Sequence, residues 1–485
     1  MTLSLNPDYY LKWDIKRFVL YTKGQCVHNG HNNWISFIHP LHLFIIGTLS
    51  LEHDINNTIA AIQKRLPINS LFIEKFISNL IENQEVCHIK STNGDASFPE
   101  NLILKRNIPH PQKSISDLIQ KSLIMNEVDL KTIRLYHSPL KITWMINNKC
   151  AVHCIYCYAD TSHKCHELPF DKFKGTIETC QKEDMQICEI IGGDFFFKKD
   201  WEKYLKCLIE NGFTPPFLST KKILTDNELQ SLTDIGYSGV FQFSLDTLSQ
   251  QEIKSIINCP SQYIERVKNM FFHLSQKGTL PFKVRISTVL IQSNASIKTI
   301  QNIYAFFSTL HLLDEWEIRF AMPSFNQVKD FLCTKEQINE ITEYIHSLRQ
   351  ISCIPISFIE YSKTNIQTQC LLADTDKYNY RCSANMRHCF ILPDGQVTIC
   401  ERLYWNPNFI IGDLNTMTLS EIWNSPKAKK LAFDMERHIS NQSPCFECDR
   451  KEICFTRQMR CWVNVVNKWG PNRITYPDPI CIKSK

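Results

Sequence analysis

The chain has 485 residues, enough for roughly two to four domains with a large buried core. Its hydrophobic content of 43% and charged content of 21% are those of a globular protein in water. The net charge of +5 is small for this length. The sequence therefore lacks the charge signature of a nucleic-acid-binding protein, although it allows an acidic peptide partner.

The cysteine content is unusual for the compartment that the sequence indicates. The opening run MTLSLNPDYYLKWDIKRF has no apolar core of the signal-peptide type, and no window reaches about 18 uninterrupted apolar residues. We therefore expect a cytoplasmic protein without a membrane partner. A reducing cytosol does not maintain structural disulfides, so 21 cysteines point to metal. Eight of the 21 lie between Cys382 and Cys481.

Residues 1–110 contain no cysteine cluster and predict a small mixed domain. The run 16–24 indicates a strand, and a strand at 85–89 closes the domain. Apolar periodicity predicts three helices between them, over residues 40–49, 55–64 and 70–83. A strand pair with three helices has the size of a winged helix-turn-helix. Lys75 is the only basic residue of the third helix, which argues against a helix that reads a DNA groove.

Residues 111–137 predict a linker helix, and residues 138–330 alternate short apolar strands with helical stretches. Six strands are predicted in this second region, over residues 141–146, 187–191, 216–219, 239–244, 283–290 and 316–321. Such alternation is typical of a parallel sheet, whose ligands lie at the carboxyl ends of the strands. Residues 331–378 are a bridging region of mixed helix and loop, and residues 379–485 form the cysteine-rich end.

Directly after the first of these strands, Cys150, Cys154 and Cys157 stand in a C-x3-C-x2-C pattern, with Tyr156 just before the last cysteine. Three thiolates on one short loop can hold three irons of a [4Fe-4S] cluster and leave the fourth iron open to a ligand. A fragment of a zinc site is the alternative, but it needs a fourth cysteine or histidine, for which His153 and His163 are the nearby candidates.

This motif resembles that of the radical S-adenosylmethionine (SAM) enzymes. The resemblance implies an α/β fold with a partial (β/α)6 TIM-like radical SAM barrel, in which SAM chelates the open iron. It also implies SAM contacts after the second and fourth strands. The residues that match these positions are Tyr156, Gly192, Gly193, Asp194, Ser244 and Asp246. Asp194 replaces the usual Glu, and its shorter side chain could move the contact with the SAM ammonium onto the backbone.

The C-terminal cysteines resemble those of a SPASM domain, an extension of peptide-modifying radical SAM enzymes with two auxiliary [4Fe-4S] clusters. The resemblance implies three clusters in all. The implied ligands of the first auxiliary cluster are Cys382, Cys389, Cys400 and Cys461. Those of the second are Cys445, Cys448, Cys454 and Cys481. Six residues separate Cys454 from Cys461, where three are usual. Two alternatives therefore stay open: Cys461 is the fourth ligand, or the first auxiliary cluster has an open iron. Two structural zinc ions are the alternative.

Because the N-terminal winged-helix-like domain precedes a radical SAM motif, it resembles the recognition element of enzymes that modify ribosomally made peptides (RiPPs). Such an element binds the leader of a precursor peptide as an added strand. The resemblance implies that a 5′-deoxyadenosyl radical abstracts hydrogen from the peptide, which then forms a thioether or carbon–carbon crosslink. A flavodoxin or ferredoxin would supply electrons, and no nucleic acid is involved. The alternatives are a peptide epimerase or oxidase, a sulfatase-maturase-like enzyme, and a redox-sensing DNA-binding protein. No catalytic acid or base can be named from the sequence.

Overall fold

In a computed structural model, the chain divides into two compact units, Met1–Pro139 and Leu140–Lys485. The structure describes residues 2–24, 26–112, 114–157, 159–321, 331–360 and 382–484, with the side chains of residues 187 and 188 excepted. Residues 361–378 of the expected bridging region lie outside these ranges. Within the described residues, no helix is long and apolar enough to cross a membrane.

The first unit is built on a three-stranded antiparallel sheet. Its strands are β2 (Tyr9–Trp13), β3 (Phe18–Thr22) and β4 (Ile35–Ile38), in that order across the sheet. Two short antiparallel pairs accompany the sheet: β1 (Ser4–Leu5) with β7 (Ile103–Leu104), and β5 (Cys87–Ile89) with β6 (Ala96–Phe98). Five of these strands were not predicted from the sequence, because they are only two to five residues long. They are β1, β2, β4, β6 and β7.

Four helices cover this sheet, and their bounds are α1 (Pro40–Glu52), α2 (Ile55–Gln63), α3 (Ser70–Ser78) and α4 (Ile115–Leu123). The first three coincide with predicted helices, although α3 ends earlier than residue 83. Asp54 caps α2 and Asn69 caps α3 through side-chain oxygens that accept the first free backbone amides. Their buried faces join one apolar core with the sheet.

The predicted linker helix belongs to the first unit. Helix α4 packs against α1 and buries Ile115, Leu118 and Ile119 in the unit's core. A fully buried ion pair ties the segment after α4 to the sheet: the Arg17 guanidinium lies 2.9 Å from Asp14 and donates 2.8 Å to the carbonyl of Arg134. Residues 111–137 are therefore part of the first unit and not a linker, because the apolar face of α4 is buried in its core. Apolar periodicity predicts such a face but not what it packs against.

The second unit contains the six predicted parallel strands, each within a residue or two of its predicted bounds. They are β8 (Lys141–Met145), β9 (Gln186–Ile191), β10 (Phe217–Thr220), β11 (Val240–Ser244), β12 (Lys283–Leu290) and β13 (Glu315–Phe320). Strand β8 pairs with β9, and β10 to β13 pair successively, all in parallel. Strand β9 packs beside β10, so the six strands form a partial barrel.

Helices alternate with these strands on the outside of the barrel. Their bounds are α5 (Phe170–Lys182), α6 (Trp201–Glu210), α7 (Asp226–Asp234), α8 (Gln250–Ile256), α9 (Tyr263–Ser275), α10 (Ile297–Leu310) and α11 (Lys335–Ile351). The fully buried Trp144 of β8 contacts Phe173 of α5 at 4.7 Å between ring centroids, which shows how the apolar helix faces pack on the strands. The fold class is therefore α/β, as predicted.

Two strands extend the barrel sheet beyond the six. Strand β14 (Ile356–Ile359) pairs in parallel with β13, and β15 (His388–Ile391) pairs in parallel with β8. Strands β16 (Gln396–Thr398) and β17 (Ile410–Asp413) then continue the sheet in antiparallel fashion. The remaining helices are α12 (Leu419–Trp423), α13 (Pro426–Lys429), α14 (Lys451–Thr456) and α15 (Trp462–Trp469). The cysteine-rich end is thus joined to the barrel by a shared sheet.

Candidate active site and cysteine clusters

A cavity of about 990 Å³ lies at the carboxyl ends of the barrel strands. Its wall includes the loop after β8, the turn after β9 and the ends of β10 to β13. In a parallel barrel these ends meet at one mouth, so side chains distant in sequence can act on one ligand. Of the residues predicted to hold the first cluster and SAM, all but Asp246 line this cavity.

The three cysteines of the C-x3-C-x2-C loop all line this cavity. The loop is anchored to the segment after α8: Cys154 forms an isolated antiparallel bridge with Ile257, and the Ile155 amide donates 3.0 Å to the carbonyl of Ile256. The amide of Cys157 donates 3.1 Å to the carbonyl of Cys154, which closes a turn between two of the cysteines. These backbone contacts fix the spacing of the cysteines before any ligand binds.

Burial raises the pKa of all three thiols, that of Cys154 to about 12. For Cys150, the nearby Asp194 adds to the effect of burial, whereas the Lys221 ammonium opposes it. Since the thiolate is the metal ligand, iron has to displace protons from this loop when it binds. The donor set, three thiols converging on a cavity, fits the open-iron cluster that the motif predicts.

A buried network lies behind the cysteine loop. The Asp246 carboxylate accepts hydrogen bonds of 2.7 Å from both the Tyr156 hydroxyl and the Lys221 ammonium. Lys221 also donates 2.8 Å to the carbonyl of Ser244. Burial by itself lowers the pKa of Lys221, but Asp246 and Cys154 outweigh it and raise the pKa above its ordinary value. Lys221 is therefore a cation held under the predicted cluster.

Lys221 is not among the residues that the sequence motifs indicate. The signal available was a lysine placed directly after a buried strand of a parallel sheet. Ser244 and Asp246 are the two polar residues that match SAM contacts after the fourth strand. The structure separates the two: Ser244 lines the cavity, whereas Asp246 is 0% exposed and engaged by Lys221 and Tyr156.

The Gly192-Gly193-Asp194 turn lies directly against the loop after β8. A Cβ atom at Gly193 would stand 2.1 Å from the carbonyl oxygen of Lys149, and one at Gly192 would stand 2.7 Å from that of Asn147. The Gly193 amide donates 2.8 Å to the Asn147 carbonyl, and the Asp194 amide donates 2.7 Å to the Lys149 carbonyl. Glycine is required here because two backbones approach closely.

Asp194 is buried, and its carboxylate is engaged by the protein. It accepts 2.7 Å from the Thr220 hydroxyl, 3.0 Å from the Phe196 amide and 3.2 Å from the Lys221 amide. These donors bind the turn after β9 to the end of β10. The carboxylate is thus occupied by protein donors, and a contact of SAM with the backbone of this turn stays a prediction.

The floor of the cavity is polar. Ser244 Oγ lies 3.2 Å from Ser219 Oγ, and Glu317 accepts 2.9 Å from the Ser287 hydroxyl. Glu317 also lies 3.7 Å from Arg319. Arg285 reaches the same carboxylate at 4.0 Å. These charges largely satisfy one another, so none of them is singled out as a catalytic acid or base.

Two further carboxylates line the cavity, Glu189 of β9 and Glu401, which directly follows Cys400. Burial and the charge of Glu189 raise the pKa of Glu401 to about 7, against the opposing charge of Arg402. Neither glutamate was recognised in the sequence, because they lie far apart along the chain. Their segments come together through the pairing of β15 with β8 and of β8 with β9.

The second predicted auxiliary set converges. Its members line one small cavity, and they are Cys445, Cys448, Cys454 and Cys481. Burial raises the pKa of Cys445, and that of Cys454 to about 11. Four thiols from three separate segments around one space form a closed donor set.

In the first predicted set, Cys382, Cys400 and Cys461 lie within electrostatic range of one another. Cys389 is buried in β15. The longer gap before Cys461 contains the last two residues of α14 and a turn at Gln458, whose φ of 51° reverses the chain. The Gln458 carbonyl accepts 3.2 Å from the Cys382 amide. The insertion therefore leaves Cys461 near the set.

Within the described ranges, no three His, Cys, Asp or Glu side chains converge closely enough to hold one metal ion. A zinc site needs such convergence, since its four ligands meet at one atom. The cysteines of a [4Fe-4S] cluster each bind a different iron and stand farther apart. All-cysteine donor sets of this kind are the ligands that hold [4Fe-4S] clusters.

Comparisons with known proteins agree with this geometry. Residues 144–302 match the radical SAM superfamily, and residues 382–449 match SPASM, described as an iron–sulfur cluster-binding domain. A probable GTP 3′,8-cyclase of Methanosarcina acetivorans is 25% identical over 151 residues, which are 29% of this chain and 43% of that protein. The chain thus spans less than half the length of that curated relative.

Two solved structures resemble nearly the whole chain. Streptococcus suis SuiB bound to S-adenosylmethionine has 14% identity and a TM-score of 0.65, and covers 99% of this chain and 100% of its own. SuiB bound to the precursor peptide SuiA has 15% identity and a TM-score of 0.63, with the same coverage. At such identities the likeness establishes the fold.

The cavity, its cysteine loop and the two domain matches show that the chain carries a radical SAM domain. More particularly, it also carries a SPASM iron–sulfur domain, and its fold resembles that of SuiB along nearly the whole chain.

Proposed function

We propose that this radical SAM enzyme modifies a ribosomally made precursor peptide and installs an intramolecular crosslink, a thioether or a carbon–carbon bond. The observation that carries the proposal is the combination of one radical SAM cavity with two further cysteine sets in the described residues. The fold shared with SuiB, whose structure includes a bound precursor peptide, supports a peptide substrate.

We assign SAM and three [4Fe-4S] clusters to the cysteine sets. When bound, SAM and the cluster at Cys150, Cys154 and Cys157 supply a 5′-deoxyadenosyl radical. Asp246 orients Tyr156 and holds the Lys221 ammonium beneath that loop. The close backbone contacts at Gly192 and Gly193 shape the wall for SAM.

The electron balance favours crosslinking. Joining two positions of a peptide removes two hydrogens: one leaves as an atom, and the other leaves as a proton and an electron. The electron needs an acceptor. Cys400, assigned to the first auxiliary set, directly precedes two residues that line the substrate cavity, Glu401 and Arg402. An auxiliary cluster held there would lie next to the substrate, and a flavodoxin or ferredoxin would exchange electrons with the enzyme.

Epimerisation is the less favoured radical outcome. After the hydrogen atom is removed, epimerisation returns a hydrogen atom to the opposite face of the substrate carbon. That step needs a donor with a weak bond to hydrogen, such as the S–H of a cysteine. Among the described residues that line the cavity, the cysteines are Cys150, Cys154 and Cys157 alone, and all three are assigned to the SAM cluster.

The first unit is the proposed leader-binding domain. The outer edge of β2 is occupied, because the Gln112 side chain caps the amide and carbonyl of Leu11 and His110 Nε2 lies 2.8 Å from the carbonyl of Tyr9. Strand β4 is the other outer strand of this sheet. A leader added there would also contact the β5–β6 hairpin, since β6 packs against β4.

The exposed surface of α3 suits a peptide better than DNA. Leu71 is 67% exposed and Phe72 is 45% exposed on this helix, and its basic residue is Lys75 alone. Groove-reading helices present several basic and polar side chains. Exposed apolar side chains instead provide anchors for an amphipathic ligand.

The test is anaerobic co-expression with the short peptide encoded beside the gene, followed by intact mass measurement. A loss of two hydrogens per site, located by fragmentation, is expected. Unchanged mass with deuterium gained from heavy water would establish epimerisation instead. A Cys157→Ala variant is the control, since it should abolish both the product and 5′-deoxyadenosine formation. Cleavage of SAM without any change in the peptide would contradict the assigned substrate.

A further inference from the structure

Arg460 is a buried cation in the wall of the second auxiliary set, defined as Cys445, Cys448, Cys454 and Cys481. The side chain is 6% exposed and lines the same small cavity as the four cysteines. Burial raises the pKa of the Cys445 and Cys454 thiols, and the positive charge of Arg460 opposes that increase. An arginine stays protonated in proteins, so this position carries a permanent positive charge.

The backbone and rings hold Arg460 in one place. Its Nη1 donates 3.1 Å to the carbonyl of Ile474 and 2.8 Å to that of Tyr476. The guanidinium carbon lies 3.6 Å from the ring centroid of Phe455 and 5.3 Å from that of Trp462. The charge is therefore fixed near the thiols, away from bulk water that would screen it.

Arg460 also stands between the two auxiliary sets. The next residue is Cys461, assigned to the first set, whose amide donates 2.8 Å to Asp478. Asp478 is 3% exposed, interacts electrostatically with Arg460 and lines the cavity of the second set. A basic and an acidic side chain thus occupy the protein between two sets of cysteines.

A fixed cation does not affect the two redox states of a cluster equally. The reduced cluster carries one more negative charge than the oxidised cluster, and both are negative overall when four thiolates bind. A nearby positive charge in a low-dielectric site stabilises the reduced form more, which raises the reduction potential.

We propose that Arg460 is a positioning residue that raises the reduction potential of the iron–sulfur cluster in the second auxiliary set, so that this cluster accepts the electron released in peptide oxidation. Clusters held at the two auxiliary sets would supply the acceptors for the one electron released by the substrate radical, and an external carrier of the flavodoxin or ferredoxin class would remove that electron. The inference rests on the proposed function, because it requires a cluster at these four cysteines.

The test is a redox titration followed by electron paramagnetic resonance on anaerobically purified full-length protein. A background variant with Cys150, Cys154 and Cys157 replaced by alanine removes the signal of the SAM cluster. In that background, Arg460→Gln should make one midpoint potential more negative, with at least about a tenfold change in the oxidised-to-reduced ratio, or about 59 mV for one electron. Arg460→Lys retains the charge and should keep most of the potential. Arg473→Gln removes an exposed arginine of the same region and should change nothing.

Each outcome is decisive. Equal midpoints for Arg460→Gln and the parent overturn the proposal. Loss of the second cluster's iron from both Arg460→Gln and Arg460→Lys also overturns it, because Arg460 would then act only by holding the carbonyls of Ile474 and Tyr476. Cys448→Ala separates this failure from failure of the proposed function: loss of about four irons per chain shows a cluster at this set whatever the peptide product is.

Discussion

Replacement of Lys221 by methionine tests the buried network beneath the cysteine loop. The change removes the ammonium that Asp246 binds at 2.7 Å and leaves the carboxylate 0% exposed with the Tyr156 hydroxyl and the Val289 amide as its remaining partners. Removing one partner of a buried ion pair costs about 3–5 kcal/mol, because the other charge stays desolvated. We expect local destabilisation of that size around the ends of β10 and β11.

Hydrogen exchange by mass spectrometry on the intact protein measures this local opening. A cost of about 3 kcal/mol corresponds to roughly a 100-fold faster exchange of amides in Phe217–Thr220 and Val240–Ser244. The double variant Lys221→Met, Asp246→Asn removes both charges and should recover part of the protection. Lys222→Met is the matched control, since its pair with Glu228 is partly exposed and worth at most about 1 kcal/mol.

Exchange in Lys221→Met that equals that of the parent would refute the reasoning. The same conclusion would follow if these amides exchanged faster in the double variant than in Lys221→Met, because the second substitution would then add a further loss of stability. Iron content and 5′-deoxyadenosine formation, measured on the same samples, report whether the cysteine loop depends on the network.

Three further predictions concern the turn after β9, the leader surface and a buried histidine. Gly193→Ala places a methyl 2.1 Å from the Lys149 carbonyl, so it should displace the cysteine loop and lose about four irons, whereas Gly175→Ala, with open space around it, should retain them in an iron assay. Phe72→Asp should weaken binding of the leader at least about tenfold by fluorescence anisotropy, since charge enters an apolar contact, whereas the more exposed control Ile124→Asp should not. Burial lowers the pKa of His42 to about 4 from an unfolded value near 6.5, so the unfolded state binds more protons between these values and the stability of the first unit should fall as pH decreases from about 6.5 to 4. His42→Phe should flatten that dependence in hydrogen exchange of α1, and an unchanged dependence would contradict this assignment.

The barrel could be predicted from the sequence because its signals are local. Each of the six strands is a short apolar run, and the C-x3-C-x2-C spacing lies within one loop. The two strands that extend the sheet could not be predicted in this way. Strand β15 is stabilised by pairing with β8, more than 240 residues earlier, and its sequence HCFI resembles the surrounding cysteine-rich segment.

The same limit applies to the site. Gly192 and Gly193 could be found because a motif marks them, but their physical reason, contact with the backbone at Asn147 and Lys149, is a property of the folded chain. Lys221 belongs to no complete motif, and its importance comes from burial beside Asp246. The sequence pattern does not show which polar side chains are buried, or which residues distant along the chain they contact.

The placement of Glu401 and Arg402 connects the two halves of the proposed chemistry. Both line the cavity that contains Cys150, Cys154 and Cys157, and both directly follow Cys400 of the first auxiliary set. A substrate in this cavity would thus lie between a radical source on the barrel side and an electron acceptor on the SPASM side. A redox-neutral reaction needs no such acceptor, so this arrangement favours an oxidative product. If the first auxiliary cluster serves this purpose, its removal through Cys400→Ala should abolish crosslinking and leave SAM cleavage by the barrel measurable.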